Sequence, residues 1–260
     1  MYNKRKEAKG MDRKTRKSHV EASPIAASKK KLQGTYETHW HEFYEIEYVL
    51  SGSGTYIIDG TPYTIRGGML FFMTPQNFHS VSANDCTVYN VMFSEQPCDL
   101  RILSRLIGGK SVFDTKEDLP FFDAVFHELV QNLSDEAFAG CLLNAALGKI
   151  PSENRRTPSD PVAQGLLYLL RHFRENPSLA EVAEHVGYTP TYFSSVYKTD
   201  VGETFKQTLD RLRFDYAANL IVHSDMTVAQ ICKESGFEDY PNFIRRYKER
   251  FGTTPGNRKR

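Results

Sequence analysis

The C-terminal part of the chain resembles itself, and this internal repeat constrains the fold more than any other feature of the sequence. The stretch "LAEVAEHVGY" at residues 179–188 matches "VAQICKESGF" at 228–237 with an offset of 49. After one inserted residue the match resumes at an offset of 50, and its best pairs are Phe193 with Phe243, Tyr197 with Tyr247 and Gly202 with Gly252. Repetition at a fixed spacing predicts two copies of one supersecondary unit.

Each repeat has the composition of a helix-turn-helix. A short helix carries a small central residue, Ala183 or Cys232, which lets a second helix cross closely. A glycine, Gly187 or Gly236, then permits the tight turn, and aromatic residues four apart anchor the second helix. One such pattern is weak evidence because ordinary helical hairpins share it. Two copies in tandem are far more specific, and they predict a domain that reads DNA.

The segment between the repeats, "GETFKQTLDRLRFDYAANLIVHS", predicts a long connecting helix. Its apolar residues fall on one helical face: Phe205, Leu209, Leu212, Tyr216 and Leu220. A helix of about 20 residues spans about 30 Å, and successive major grooves on one side of B-DNA lie about 34 Å apart. One chain could therefore place two recognition helices in adjacent grooves.

Residues from His39 to about Phe93 predict a β domain. They are rich in aromatic and β-branched residues, and glycine-containing stretches that we interpret as turns, "SGSG", "DGTP" and "RGG", interrupt them. Many short strands without intervening helices indicate a sandwich or a small barrel.

Two amphipathic helices are predicted to follow, at residues 119–131 and 134–148. The first has a stripe of Phe122, Val125, Phe126 and Leu129. The second is predicted to start at Ser134 as its N-cap and has a stripe of Phe138, Cys141, Leu142 and Ala145. Each stripe could pack on the β domain or pair with a second subunit, and packing within the chain is the default.

Charge is distributed unevenly along the chain. Residues 1–31 carry 11 Lys/Arg against 3 Asp/Glu and predict a basic, disordered tail, whereas residues 32–159 carry 8 against 16. The stretch "PSENRRTPSD" at 151–160 predicts an interdomain linker. The four cysteines form no C-x-x-C pair, which argues against a disulfide framework or a zinc ribbon. No signal peptide or transmembrane run is evident, so a cytoplasmic location is expected.

The stretch "HWHEFYE" at residues 39–45 raises the question of a metal site. On a regular strand His39, His41 and Glu45 would share one face. The spacing H-x-H-x3-E-x6-G resembles the first motif of the cupin superfamily, whose members are small jelly-roll barrels. "GGMLFFMTPQNFHS" resembles the second motif, with His79 in the histidine position. The resemblance implies that the four side chains converge inside a barrel.

Residues 161–258 resemble the DNA-binding domain of the AraC/XylS family of bacterial transcription regulators. The family pattern "A…GF…F…FK…G…P" occurs here as "ICKESGFEDYPNFIRRYKERFGTTP". The resemblance implies that Thr191, Ser194 and Ser195 face the groove from the first recognition helix, and Tyr240, Asn242 and Arg245 from the second. Arg245 suits guanine and Asn242 suits adenine, while Lys198, Arg246 and Lys248 suit phosphates.

Two departures from the family pattern carry their own expectations. The first recognition helix presents small hydroxyl side chains, so the first repeat is expected to position the domain more than to read sequence. At the end of the chain "PGNRK" puts Arg258 in the position of an aromatic residue and Lys259 in that of an arginine. Whether the last helix closes the domain as in the family is therefore undecided from the sequence.

Together these features predict an α+β chain of two domains. A cupin-like β-barrel with dimerisation helices occupies residues 32–150, and an all-α domain with two helix-turn-helix motifs occupies 161–260. The expected function is a sequence-specific transcription regulator, not an enzyme, that responds to a small-molecule effector. Its expected partners are double-stranded DNA, the effector, a second copy of the chain and RNA polymerase; no membrane is expected.

The barrel histidines leave three readings. In the favoured one, His39, His41, Glu45 and His79 bind the effector without any cofactor. In the second, the same four residues bind a metal in a cupin enzyme that is fused to a DNA-binding domain. In the third, the protein binds DNA constitutively and the β domain only dimerises.

Overall fold

A computed structural model describes residues 23–75, 77–107, 109–151 and 158–258. The chain divides into two compact units between Leu166 and Leu167, inside helix α4 (Asp160–His172). This division lies beyond the predicted linker 151–160, of which residues 152–157 fall outside the described residues. None of the helices in the described ranges is long and apolar enough to cross a membrane.

The N-terminal unit is built on one antiparallel sheet of six strands. Its strands pair in the order β1-β5-β2-β4-β6, and β3 pairs with β2. In chain order the strands are β1 (Ile25–His39), β2 (Tyr44–Ile58), β3 (Thr61–Ile65), β4 (Met69–Met73), β5 (His79–Phe93) and β6 (Val112–Asp114). The long strand β5 lies between the other two long strands and pairs with both β1 and β2 along most of its length.

The long strands bend, and the bend wraps the sheet around a common apolar core. The stretch "SGSG" is not a turn, as the sequence suggested, but an irregularity inside β2, where the register with β5 shifts twice. A Cβ on Gly54, whose φ is +150°, would lie 2.1 Å from the carbonyl oxygen of Ser82. The glycine is therefore there for close strand contact and bending, as in a cupin-like barrel.

The core inside the bend comes from all five strands β1 to β5. Its buried residues are Leu32, Val49, Tyr56, Ile58, Ile65, Met69, Phe71, Met73, Val81, Ala83, Cys86 and Val88.

The disordered basic tail predicted for residues 1–31 includes residues that form a strand. Residues 25–31 belong to β1, and residues 1–22 lie outside the described part of the chain. The lysines that suggested disorder have partners on neighbouring strands. The ammonium of Lys30 lies 2.9 Å from the carboxylate of Glu47, and that of Lys29 lies 5.0 Å from the ring centre of Tyr89. A lysine run is thus compatible with a strand whose neighbours supply such partners.

Helices follow the long strands, and the one predicted at residues 119–131 packs against the sheet. They are α1 (Leu100–Leu106), α2 (Leu119–Gln131) and α3 (Glu136–Lys149), and a 3-10 turn (Lys116–Asp118) precedes α2. The rings of Phe122 and Phe126 on α2 lie 5.0 and 5.6 Å from the ring of Tyr48 on β2. The stripe of the first predicted helix is therefore part of the core.

Helix α3 differs from its prediction in two respects. Its N-cap is Asp135 rather than Ser134, because the Asp135 carboxylate accepts the N–H of Phe138. The face buried against the unit is formed by Ala139, Leu143, Ala146 and Leu147. Phe138 and Cys141 of the predicted stripe are exposed, Phe138 to 43%. The prediction that this stripe packs within the chain is therefore wrong, although another face of α3 does so.

The C-terminal unit confirms the tandem helix-turn-helix. Its helices are α5 (Leu179–His185), α6 (Pro190–Val201), α7 (Phe205–His223), α8 (Val228–Glu234), α9 (Tyr240–Phe251) and α10 (Pro255–Arg258), with a 3-10 turn (Phe173–Glu175) before α5. The two turns match in detail. The N–H of Tyr188 donates to the carbonyl of Ala183 at 2.8 Å, and that of Phe237 donates to Cys232 at 3.0 Å.

The connecting helix α7 has 19 residues, close to the predicted length, and buries Phe205, Leu209, Leu212, Tyr216 and Leu220 as the pattern indicated.

The last helix, α10, packs onto the end of α9 despite the unusual "PGNRK". The guanidinium of Arg258 lies 5.2 Å from the ring centre of Phe251 and donates to the Tyr247 hydroxyl at 3.3 Å. A cation over a ring thus replaces the aromatic contact of the family pattern. Lys259 lies outside the described residues.

Candidate functional site

A cluster of buried polar side chains lies on the inner face of the bent sheet. We call it the polar cluster, and it consists of His41, Glu45, Glu47, His79 and Asn90, each at most 7% exposed. Glu45 and Glu47 alternate with Ile46 and Tyr48 along β2, so that both carboxylates point to the inside. Polar groups at such depth require partners, and they find them partly in one another and partly in Lys30 and backbone carbonyls.

The stretch "HWHEFYE" is not a single strand, as the sequence suggested. His39 ends β1, and Glu45 lies in β2 after an irregular connection. The predicted convergence nevertheless occurs. The Nε2 atoms of His41 and His79 lie 2.8 and 3.3 Å from Glu45 Oε2, and the ring centres of His39 and His79 are 4.3 Å apart. All four predicted effector residues therefore meet at one place.

His41 makes one contact through each of its ring nitrogens. Its Nδ1 lies 2.8 Å from the carbonyl oxygen of Phe43, and its Nε2 lies 2.8 Å from Glu45. A carbonyl only accepts, so Nδ1 must carry a proton. The two contacts hold the ring between the Phe43 carbonyl and the Glu45 carboxylate.

The pKa values of the two buried carboxyl groups are shifted in opposite directions. Burial by itself would raise the pKa of Glu45, but the hydrogen bonds and charges of His41 and His79 outweigh it and hold that pKa well below its ordinary value. Burial raises the pKa of Glu47, and the charge of Glu45 adds to the rise while Lys30 opposes it. The cluster thus contains one firmly ionised carboxylate beside one that ionises less readily.

Asn90 joins the two carboxylates and was missed by sequence reasoning, together with Glu47. Its Nδ2 donates to Glu45 at 2.5 Å and to Glu47 at 3.1 Å. Glu47 had a signal in the sequence, since it lies two residues after Glu45 on the same face of a strand. Asn90 had none, because its place in the cluster depends on the pairing of β5 with β2.

Part of the predicted ligand set also fits a metal. One donor atom from each of His41, Glu45 and His79 lies within 4.8 Å of the others. The rings of His41 and His79 turn Nδ1 towards a backbone carbonyl, that of Phe43 at 2.8 Å and that of Asn77 at 3.4 Å. Nε2 of each ring is thereby left as the atom that can bind a metal. That arrangement is typical of metal-binding histidines. His39 is not within this group of three.

The predicted DNA contacts lie on the recognition helices α6 and α9. Four of them are exposed on α6: Thr191, Ser194, Ser195 and Lys198. On α9, Tyr240, Arg245 and Lys248 are exposed and Asn242 is half-buried. The buried residues Phe193 and Tyr197, and their counterparts Phe243 and Tyr247, attach the helices to the core.

The guanidinium of Arg245 contacts two side chains of its own helix. One nitrogen of its guanidinium donates to Asn242 Oδ1 at 2.8 Å, and another donates to Glu249 Oε1 at 2.7 Å. Glu249 was not among the predicted residues. Its ion pair with Arg245 is exposed and worth only about 0.5 kcal/mol, so a guanine or a phosphate could displace it.

Arg246 has a structural partner. Its guanidinium donates to the carboxylate of Asp210 on α7 at 2.5 Å and lies 5.2 Å from the ring centre of Phe214. These contacts join the second recognition helix to the connecting helix. The predicted phosphate contact of Arg246 stays a prediction, but this arginine is less available for it than Lys248.

Comparisons with known proteins agree with both units. The AraC-like ligand binding domain family matches residues 25–170, more than half of the chain, and a helix-turn-helix domain family matches residues 182–260. The transcriptional activator RhaS of Escherichia fergusonii is 25% identical over 253 residues, which cover 89% of this chain and 90% of that protein. The transcriptional activator RhaR of Cronobacter sakazakii is 24% identical and covers 89% of each chain.

Among solved structures, ToxT of Vibrio cholerae O395 matches 91% of this chain and 97% of its own, at 13% identity and a TM-score of 0.40. The ligand-binding family model covers more than half of the chain, and the tandem helix-turn-helix agrees with it. The chain belongs to the AraC family of DNA-binding transcription regulators, with an AraC-like ligand-binding domain in its N-terminal unit.

Proposed function

We propose that the polar cluster binds the small-molecule effector of this regulator, and that binding there changes the affinity of the tandem helix-turn-helix for promoter DNA. The observation that carries the proposal is the convergence of Glu45, His41 and His79 inside an otherwise apolar sheet. A few directed polar groups in apolar surroundings are typical of ligand sites.

The test uses the single tryptophan of the chain. Trp40 precedes His41, is buried, and its ring lies 6.0 Å from that of Phe78. Mapping the protein on its genome identifies the regulated genes, and metabolites of those genes are then titrated while Trp40 fluorescence and DNA affinity are measured. We expect one metabolite to change both, with a factor of about 5–150 in DNA affinity. If no metabolite changes DNA affinity, the sensor proposal fails while DNA binding stands.

The favoured reading involves no cofactor, and the metal-dependent enzyme is the alternative. What supports the alternative is the group of His41, Glu45 and His79, whose donor atoms suit a divalent transition metal. Such a metal would supply Lewis-acid chemistry, and Asn90 would orient the carboxylate. Elemental analysis separates the two readings: stoichiometric metal that is lost in His41→Ala favours the alternative.

The proposal includes a homodimer formed through α3. What supports it is the exposed apolar face of this helix, with Phe138 43% exposed and Cys141 beside it. In a two-fold dimer the same residues meet their own copies near the axis. The proposal also includes a cytoplasmic location, on the nucleoid when bound, and contact with RNA polymerase; family membership alone supports these.

We expect Phe138→Glu to convert the dimer to a monomer, because it places two like charges near the axis. Sedimentation at several concentrations measures this. The matched control is Val222→Glu, which changes a side chain that is 53% exposed in the other unit and should leave the mass unchanged. A short bis-maleimide should crosslink the wild type through Cys141, and Cys141→Ser should abolish the crosslink. If Phe138→Glu sediments like the wild type, α3 is not the interface.

A further inference from the structure

The first helix-turn-helix presents two stacked tyrosines that the predicted contacts do not include. Tyr188 lies in the turn after Gly187, and Tyr192 lies in the first turn of the recognition helix α6. Their ring centres are 5.0 Å apart with an angle of 22° between the planes. They are 39% and 54% exposed. Large aromatic surfaces so exposed on a recognition helix call for a partner.

The repeat shows which position Tyr192 occupies. At the offset of 50, Tyr192 corresponds to Asn242 and Ser195 to Arg245. The caps confirm the equivalence: the N–H of Tyr192 donates to the Thr189 side chain, and that of Asn242 donates to the Asp239 side chain. Tyr192 therefore lies where the second helix carries Asn242, which is hydrogen-bonded to Arg245.

We propose that Tyr192 contacts the C5-methyl group of a thymine in the major groove, so that the first helix-turn-helix also reads sequence. The N-terminal residues of a recognition helix contact base edges, and apolar side chains distinguish thymine by its methyl group. Ser195 is small and leaves the ring room to reach the base. The proposal rests on DNA binding by this family and adds a residue and a base preference to it.

The stack on Tyr188 strengthens this contact. A free tyrosine side chain loses rotamer freedom when it binds, and this loss weakens binding. Here the ring of Tyr192 already rests on Tyr188, so less freedom is lost. The backbone of Tyr188 is fixed in the turn by the hydrogen bond of its N–H to the Ala183 carbonyl. The exposed hydroxyl groups of Thr191, Ser194 and Ser195 lie on the same helix α6 and can position it on the DNA backbone.

The experiment removes methyl groups from the DNA. Full-length protein first selects its preferred duplex from a random pool. Each thymine of that duplex is then replaced by uracil, which lacks only the methyl group. We expect uracil at one or two thymines of the half-site bound by α6 to weaken binding about fourfold, the factor for burying one methyl group.

The variants assign that effect to a side chain. In Tyr192→Ala the wild-type penalty for uracil should vanish, and in Tyr192→Phe it should remain. Tyr240→Ala, on the other recognition helix, is the matched control and should keep the penalty at the α6 half-site. The proposal is overturned if Tyr192→Ala retains the penalty. It is also overturned if Tyr192→Phe binds as weakly as Tyr192→Ala, because the contact would then depend on the hydroxyl. Selection of no sequence at all would instead contradict the proposed function itself.

Discussion

Glu45→Gln is expected to lower the free energy of unfolding of the N-terminal unit by about 3 kcal/mol. Its carboxylate accepts hydrogen bonds from His41, His79 and Asn90. Removing one partner of a buried ion pair costs about 3–5 kcal/mol, because the other charge is left without compensation. The lower end applies here, since the amide oxygen of the variant can still accept from Asn90.

Glu47→Gln is the matched control, with the same change two residues away. Its partner Lys30 has a side chain that is 37% exposed and can return to water. We therefore expect a stability within about 1 kcal/mol of the wild type, or above it, because a buried charge disappears. Urea denaturation followed by Trp40 fluorescence measures both variants in the N-terminal unit. Equal losses in the two variants would contradict the assignment of Glu45 as the centre of the cluster.

The pH dependence gives a second comparison between the two carboxyls. The pKa of Glu45 is lower in the folded protein, so its contribution is present above the ordinary glutamate pKa and is lost as the pH falls towards the folded value. The pKa of Glu47 is raised, so its effect has the opposite sign: stability is lost as the pH rises from the ordinary pKa through the folded one. As the pH rises from the ordinary glutamate pKa through the folded pKa of Glu47, the stability of Glu47→Gln relative to the wild type should therefore increase.

The fold of the C-terminal unit could be predicted from the sequence because its signals are local. Each repeat carries its own helix periods, turn glycine and caps, and the two copies support one another. Tyr192 has no motif of its own, because its equivalence to Asn242 depends on the residue inserted between the two halves of the repeat. The insertion lies in the turn, since Thr189 and Asp239 cap equivalent helices.

The N-terminal unit depends on long-range pairing, which explains what the sequence did not show. The histidines and Glu45 were found because their spacing is a motif. The convergence of Asn90 with Glu45 and Glu47 arises only from strand pairing across 40 or more residues. The lysines of β1 suggested disorder, since their partners Glu47 and Tyr89 are also distant in sequence.

Arg245→Ala is expected to weaken binding to the preferred duplex by about 5- to 150-fold, equivalent to roughly 1–3 kcal/mol for one bidentate base contact. The guanidinium is free of the core, and its exposed ion pair with Glu249 is weak enough for a guanine to displace. Loss of the contact should relax the preference at a single base pair. Binding to a shuffled duplex should change little.

Lys248→Ala is the control on the same helix, because Lys248 is exposed and suits a phosphate. It should weaken binding to both duplexes alike and reduce the slope of log affinity against log salt by about 1. Glu249→Gln should strengthen binding about twofold, since it removes the competing ion pair. Titrations of full-length protein at several salt concentrations separate these effects. If Arg245→Ala weakens both duplexes equally and lowers the salt slope, Arg245 contacts a phosphate and the second helix must read bases through Asn242 or Tyr240.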